Sequence, residues 1–396
     1  MPRHSTVVGG SSASRLLNCP GSPALLAQLP EVTNRDTVYT VEGTALHMLM
    51  EQLITRKVGI DHLPPVIQTE AGEVEITQEL IHDAVLPAWA YWNDFLPIVD
   101  SWMIEAEVAF PLIDNAFGTA DVIGRDDRDN ITYITDWKFG AGEGVRASYP
   151  VEGGGDETPN EQLMFYAAAA HHTYPLLFPA GCRVVLTIVQ PRARGQDPIT
   201  SVEVDLTDLE DFVVRLSEAV NMPDPPTRKG RWCRFQPCQT ICPHHTGPLL
   251  DLSAIKPPDK IEPEYMETLL KILEVAPAAE NLIREARAQA HLLLANGEEV
   301  PGWKLVAKRG TRQWAVAEKK LPRLLKLKKA ALYDTILKSP AAVEKLLPPK
   351  TKLPEGAAVM VSSGTTIAPA SDKRPVVTGG SSEISKILIE VLGQDS

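Results

Sequence analysis

The sequence predicts a mixed α/β domain followed by a mainly helical, basic C-terminal extension, and three observations support this fold class. Apolar residues recur at helical spacing from 41 to 58, which predicts an early helix. Runs of alternating apolar residues predict three strands at 102–111, 116–126 and 131–138. A second helical stretch at 160–172 then precedes an apolar run at 183–190, which completes the order helix, strands, helix and strand.

The segments between and beyond these elements follow from local chemistry. The polar, turn-rich residues 126–130 predict an antiparallel hairpin between the second and third strands. Residues 140–159 contain six glycines and no apolar periodicity, and are interpreted as a mobile loop. The Ser-Ser-Ala-Ser sequence at 11–14 predicts the N-cap of a short helix that ends near Cys19. Further helices are expected at 79–96, 206–220 and 263–295, the last as one helix or two.

The length of 396 residues exceeds the usual size of a single core, so more than one region is expected. A Lys-Pro-Pro sequence at 256–258 marks a boundary, and Pro, Ser, Gly and Thr dominate the end of the chain. The predicted division is a cysteine-flanked α/β domain at 1–250, a helical and basic region at 251–345, and a poorly ordered tail at 346–396.

Charge and hydropathy restrict the function classes. The net charge of −12 argues against a protein that coats DNA, yet residues 304–329 hold ten Lys or Arg and one acid. That stretch is either a track for a polyanion or a solvated helix face. No apolar run is long enough to span a membrane, and no secretory signal is present, so a cytoplasmic protein is expected. Its five cysteines are then ligands or core residues rather than disulfides.

Polar residues that could hold a divalent cation follow the predicted strands. Asp121 lies near the end of the second strand and Asp136 near the end of the third, so both carboxylates are expected at one sheet edge. Lys138 shares a strand face with Asp136. As an isolated pair these two would be read as an exposed ion pair, but they follow an apolar run and precede the Gly-rich segment. Oxygen ligands with room for water suit Mg²⁺ or Mn²⁺. His47 on the early helix could face the same cleft, although alone it would more often be a half-buried helix histidine than a ligand.

Four motifs occur in a fixed order: Gly43-x-x-x-His47, Gly118-Thr-Ala-Asp121, Asp136-Trp137-Lys138 and Gln162-x-x-x-Tyr166. Their order resembles the RecB-type branch of the PD-(D/E)XK nuclease superfamily, over roughly residues 10 to 245. The resemblance implies a restriction-endonuclease-like mixed sheet flanked by helices. It implies that the metal ligands are His47, Asp121, Asp136 and the carbonyl of Trp137. It further implies that Lys138 is the catalytic lysine, and that Gln162 and Tyr166 position DNA.

The resemblance, which extends to a phage-encoded group, implies a Mg²⁺- or Mn²⁺-dependent deoxyribonuclease in the host cytoplasm. The activity expected is that of an exonuclease acting from the free ends of single- or double-stranded DNA. Phage recombination or replication proteins are the expected partners. Two alternatives stay open: a DNA-binding accessory protein with weak catalysis, and a structure-specific endonuclease.

The cysteines form a second pattern. Cys233, Cys238 and Cys242 fall within ten residues, while Cys19 stands near the N-terminus. This resembles the iron–sulfur subgroup of the same branch, in which four thiolates hold a [4Fe–4S] cluster. The usual triplet is C-x2-C-x5-C, but here Gln236 occupies the middle position and the thiol is displaced to Cys238. A Zn²⁺ site that uses His244 or His245 and a decayed site are the alternatives. Cys182 is expected to be a core thiol.

Overall fold

The computed structural model describes residues 5, 7–29, 38–151, 157–233, 236–247, 263–307, 311–328, 332, 340, 343, 347, 352–354, 356–361, 365–369 and 374–376. The chain forms two compact units, one of residues 1–30 and 35–279 and the other of residues 31–34 and 280–396. The sequence-based division at residues 250 and 345 stays a prediction, and most of the expected tail lies outside the described residues.

The helices used below are α1 (Gly10–Asn18), α2 (Ser22–Leu26), α3 (Val38–Ile54), α4 (Gln78–Leu80), α5 (Leu86–Phe95), α6 (Glu161–Thr173), α7 (Leu206–Val220), α8 (Pro263–Ala295) and α9 (Leu321–Leu325). The strands of the first unit are β1 (Val66–Thr69), β2 (Gly72–Glu75), β3 (Ser101–Ala109), β4 (Phe117–Asp126), β5 (Ile131–Trp137), β6 (Gly142–Glu143), β7 (Ser148–Pro150), β8 (Glu157–Pro159), β9 (Arg183–Val189), β10 (Ala193–Arg194) and β11 (Ile199–Val204). Those of the second unit are β12 (Trp303–Ala307), β13 (Thr311–Trp314), β14 (Ala358–Val361) and β15 (Thr365–Pro369).

A five-stranded mixed sheet forms the centre of the first unit, in the order β11-β9-β5-β4-β3. The pairs β3/β4, β4/β5 and β9/β11 are antiparallel, whereas β5 and β9 run parallel because helix α6 connects them. The predicted hairpin is thus the β4–β5 pair, and the predicted strand at 183–190 is β9. These observations confirm the predicted fold class, a mixed α/β sheet flanked by helices.

Apolar side chains pack on this sheet in two clusters. One cluster includes Phe165 of α6, which is fully buried and stacks on Phe110 with ring centroids 4.8 Å apart. The other includes the apolar stripe of α3, where Leu46 and Leu49 are fully buried, together with Trp137 at the end of β5. The helix-spaced stripe that predicted α3 is therefore the face that it buries.

Two predicted helices differ in detail from the structure. Helix α1 begins at Gly10 with Gly9 as its N-cap, and the Ser12 hydroxyl accepts a hydrogen bond of 3.1 Å from the Gly9 amide. The predicted serine cap therefore lies inside the first turn. The predicted helix at 79–96 contains a π-helical turn, Ile81–Val85, between α4 and α5. Pro87 follows this turn, and because proline has no amide hydrogen it cannot make the regular helical bond there.

The described part of the Gly-rich segment at 140–159 contains short paired strands that the interpretation as a mobile loop did not include. β6 pairs parallel with β10, and β7 pairs antiparallel with β8. Short strands of two and three residues carry no periodicity that sequence can show. The β1–β2 hairpin and the edge strand β11 were also missed.

The second unit contains two antiparallel pairs, β12/β15 and β13/β14, and an apolar cluster around Leu321 and Leu325. The sequence did not predict these strands.

The predicted helix at 263–295 is one helix, α8, with Pro277 inside it. None of the helices in the described part of the chain is long and apolar enough to cross a membrane.

Candidate metal centre

Strand register sets three carboxylates in a row across the sheet. The antiparallel β3/β4 register places Glu105 opposite Asp121, because the residues that flank each of them are paired. The β4/β5 register, continued by one residue, places Asp136 beside Asp121. Opposite residues of adjacent strands share a face, so three acidic side chains occupy neighbouring positions at the end of β5.

Helix α3 adds an imidazole to this row. His47, Glu105 and Asp121 each offer one ligand atom, and these atoms all lie within 4.8 Å of one another. The His47 Nδ1 atom is 3.6 Å from Asp121 Oδ1, and the His47 ring meets Phe139 edge-on. An imidazole with two carboxylates is a ligand set for a divalent cation. The structure thus brings together two predicted ligands, His47 and Asp121, and adds Glu105, which sequence analysis missed.

Glu105 has an unusual backbone conformation. Its φ is +46°, although it lies within a strand and is not glycine. A left-handed conformation costs an L-residue roughly 1–2 kcal/mol, and such strain concentrates at functional sites. The sequence alone does not distinguish Glu105 from Glu107, because the two residues are two positions apart and so share a face of the predicted strand. In the structure Glu107 is exposed.

Burial and the repulsion of neighbouring carboxylates favour the protonated forms of Glu105 and Asp121. Desolvation, with the charges of Asp121, Glu51 and Asp136, raises the pKa of Glu105 to about 8. Desolvation also raises the pKa of Asp121 to about 6, although the nearby His47 opposes this shift. A cation at the row would replace these protons and relieve the repulsion.

Asp121 is oriented by the neighbouring strand. Its Oδ2 atom accepts a hydrogen bond of 2.7 Å from the Trp137 backbone amide, which leaves Oδ1 facing His47. Trp137 itself is buried against Phe139 and Tyr91. The amide of Trp137 therefore positions a ligand, whereas the role of its carbonyl as a ligand stays a prediction.

Asp136 lies beside the lysine rather than in the His47 set. The Lys138 Nζ atom is 2.8 Å from Asp136 Oδ2 and donates a hydrogen bond of 3.1 Å to Gln162 Oε1. The side-chain amide nitrogen of Gln162 donates to Asp136 Oδ1 at 3.2 Å and lies 3.4 Å from the Tyr166 hydroxyl. Desolvation lowers the pKa of Lys138, but the charge and hydrogen bond of Asp136, together with the charge of Asp121, outweigh it and raise this pKa above its usual value, so the ammonium stays charged. The part of Asp136 as a metal ligand stays a prediction.

Helix α6 brings Gln162 and Tyr166 to this network. The Asn160 side chain caps the helix by accepting a hydrogen bond of 2.9 Å from the backbone amide of Gln162. A side chain at Gly118 would come within 3.1 Å of the Tyr166 ring, so glycine there makes room for the tyrosine next to β4. Burial raises the pKa of Tyr166, which keeps its hydroxyl protonated.

The first residue of α6 connects this network to the cysteine-rich segment. Arg231 contacts both carboxylate oxygens of the buried Glu161 at 2.6 Å. The Arg231 guanidinium also lies 4.4 Å from the centre of the Tyr149 ring, and Asn18 of α1 donates to Glu161 at 3.2 Å. Three segments distant in sequence therefore meet at the start of the helix that carries Gln162.

The four cysteines of the predicted cluster line one cavity. Cys19 follows α1, and Cys233, Cys238 and Cys242 come from the two 3₁₀ turns Arg231–Cys233 and Pro237–Thr240 and the residues after them. Gln236 lines the same cavity, although it occupies the usual ligand position. Cys182 lies elsewhere in the main apolar cluster, as expected for a core thiol.

The four cysteine sulfur atoms do not form the compact group that a preformed zinc site needs. A tetrahedral zinc ion with four sulfur ligands requires sulfur atoms about 3.8 Å apart. Among the described residues, only His47, Glu105 and Asp121 bring three potential ligand atoms within 4.8 Å of one another. The cysteine sulfurs therefore do not meet this spacing. The free space is about 10 Å³, room for roughly one water, so a larger group would enter only as these side chains spread.

The chain matches a family described as protein of unknown function, DUF2800, over residues 4–375, and it belongs to that family. It is also similar to a solved structure from Eubacterium rectale named "Putative exonuclease", at 10% identity and a TM-score of 0.30, covering 58% of this chain and 79% of the other. A second similar structure, SSO0001, is 16% identical with a TM-score of 0.22, covering 58% of this chain and 95% of the other. Neither similarity is close enough to assign an activity.

Proposed function

We propose that this protein is a metal-dependent deoxyribonuclease of the RecB-type PD-(D/E)XK kind, with a restriction-endonuclease-like core. The observation that carries the proposal is the convergence of His47, Glu105 and Asp121 on one point, on a sheet row that continues to Asp136. A hard divalent cation, Mg²⁺ or Mn²⁺, fits this oxygen-rich set. The charged Lys138 two residues after Asp136 supplies the positive group that phosphodiester hydrolysis needs.

Each residue has a task in this proposal. The cation supplies Lewis acidity and a water of lowered pKa when bound. His47, Glu105 and Asp121 hold it, and the Trp137 amide fixes the orientation of Asp121.

The lysine network serves the reacting phosphate. Asp136 and Gln162 hold the Lys138 ammonium in place, so it can orient the attacking water or neutralise charge on the phosphate. Gln162 and Tyr166 lie on one face of α6 at the edge of this group and would position the DNA.

The proposed substrate is DNA with free ends, and the proposed setting is phage recombination or replication. Digestion of end-labelled linear DNA beside closed circular DNA separates an exonuclease from an endonuclease, because only an endonuclease cuts the circle.

The test of catalysis uses Asp121→Ala and Lys138→Ala, with Glu107→Gln as a control on the exposed side of β3. With Mg²⁺ or Mn²⁺ the first two variants should lose degradation at least a hundredfold while circular dichroism stays unchanged, and the control should keep it. Full activity in both site variants would reject the proposal. DNA binding by the native protein without cleavage in any divalent metal would favour the accessory protein instead.

We also propose that Cys19, Cys233, Cys238 and Cys242 hold a [4Fe–4S] cluster. The donor set fits, because four thiols line one cavity and no second function is visible for them. Among the described residues the thiols do not form the compact group that a preformed zinc site needs, and the small free volume requires them to move outward when a cluster is bound. Iron, sulfide and zinc analysis of protein purified without oxygen tests this assignment.

A further inference from the structure

His245 is a buried imidazole in the cysteine cavity, and no motif accounts for it. Its side chain lines the cavity together with the four cysteines, and the residue is 5% exposed. Its Nε2 atom has no hydrogen-bond partner among the described residues. A buried polar atom left without a partner is destabilising, so such atoms in folded proteins usually serve a ligand or water.

The neighbouring histidine differs in each of these respects. His244 is exposed, and its Nε2 atom lies 2.9 Å from the Thr227 carbonyl oxygen, so its hydrogen-bonding needs are met outside the cavity. The His245 amide instead bonds the Cys242 carbonyl at 3.0 Å, which fixes this imidazole one turn after a proposed ligand. Of the two adjacent imidazoles, only His245 is committed to the cavity.

The cavity lining favours a negatively charged occupant. Arg15 and Arg228 line it together with the cysteines, and Arg15 is held by a hydrogen bond of 2.7 Å to the Ser22 hydroxyl. The Arg228 amide also lies 3.3 Å from the Cys19 sulfur. Four thiolates with a [4Fe–4S] core carry a net charge of about −2, which these groups would offset.

The spacing of donors gives no support to His245 as a ligand of a preformed zinc site. A zinc ion bound by His245 and cysteines would need their donor atoms about 3.3–3.8 Å apart. Within the described chain, three such donors come within 4.8 Å of one another only in the His47 set. His245 therefore does not form a compact ligand group with the thiols.

We propose that His245 donates a hydrogen bond from Nε2 to a sulfur of the cluster held by the four cysteines, and so raises its reduction potential. This inference rests on the proposed cluster. Hydrogen bonds to the sulfurs stabilise the added negative charge of the reduced state, which is why they tune cluster potentials.

The test compares full-length native protein with His245→Phe, His245→Gln and His244→Phe, each purified anaerobically. Iron and sulfide content, the visible spectrum and the midpoint potential are measured on each. His245→Phe should retain iron and sulfide but have a lower potential, by about 59 mV for a tenfold shift in the one-electron equilibrium. His245→Gln, which keeps an N–H donor, should recover part of the shift, and His244→Phe should match the native protein.

The remaining outcomes overturn the inference in distinguishable ways. An unchanged potential in His245→Phe removes the hydrogen bond, and loss of iron from a folded His245→Phe protein makes His245 a ligand. Zinc without iron in the native protein rejects the cluster and the inference together, while DNA cleavage by the same preparation leaves the nuclease proposal standing. If His245→Phe does not fold, His245→Leu replaces it as the variant without a donor.

Discussion

Removal of the Glu105 carboxylate should flatten the pH dependence of metal binding. In the native protein the pKa of Glu105 is about 8 and that of Asp121 about 6, chiefly because both groups are desolvated. A cation must displace these protons, so its affinity should rise with pH. Glu105→Gln keeps the size of the side chain but removes the group that titrates at the higher pH.

The size of the effect follows from the two pKa values. Between pH 6 and pH 8 the ionised fraction of Glu105 rises about 50-fold, whereas that of Asp121 rises only about twofold. The native affinity for Mn²⁺ should therefore increase about 100-fold over this range, and that of Glu105→Gln about twofold. The two proteins should bind similarly near pH 6, where Glu105 is almost fully protonated, and diverge as the pH rises.

Isothermal titration calorimetry with Mn²⁺ at pH 6, 7 and 8 measures this divergence, and Glu107→Gln is the matched control. Glu107 lies on the same strand two residues away and is exposed, so its replacement should leave the native pH profile intact. Parallel profiles for native protein and Glu105→Gln would refute the reasoning, because the cation would then not displace a proton from Glu105.

Three further predictions concern stability and backbone geometry, and urea unfolding measures each of them. Phe165→Ala should lose about 3–5 kcal/mol, because the ring is fully buried and stacked on Phe110; a loss below about 1 kcal/mol would contradict this packing. Arg231→Gln should lose about 1–3 kcal/mol by leaving the buried Glu161 without its charged partner, and adding Glu161→Gln should recover part of the loss rather than deepen it. Glu105→Gly should be more stable than Glu105→Ala by about 1 kcal/mol, since only glycine adopts the left-handed conformation freely; the reverse order would exclude that conformation.

The central sheet and its covering helices follow from apolar periodicity that the sequence shows directly. The stripe that predicted α3 is buried, and the apolar run at 131–138 became β5 because residues on both of its faces are covered. Strands of two or three residues in the Gly-rich segment are too short for any period. The β12–β15 pairs join residues more than forty positions apart, which no local pattern indicates.

Sequence motifs could identify those residues of the candidate site that lie within a motif, but not Glu105, which lies outside all of them. His47 and Asp121 lie 3.6 Å apart, as the motif order suggested, whereas the contact between Lys138 and Gln162 was not predicted. Glu105 could not be found, because its place depends on the β3/β4 register and on a left-handed backbone. A one-residue change of register would direct it to the opposite face.

The candidate metal centre and the cysteine cavity meet at the first turn of α6. Arg231 begins the 3₁₀ turn that contains Cys233, and its guanidinium holds Glu161, the residue before Gln162. On the other side Cys19 ends α1, whose Asn18 bonds the same Glu161. A group that cross-links Cys19 to Cys233 would therefore restrain both partners of Glu161 at once, and through it the helix turn from which Gln162 reaches Asp136 and Lys138. The four cysteines would then act on hydrolysis by holding this turn in place, without contact to the reacting phosphate.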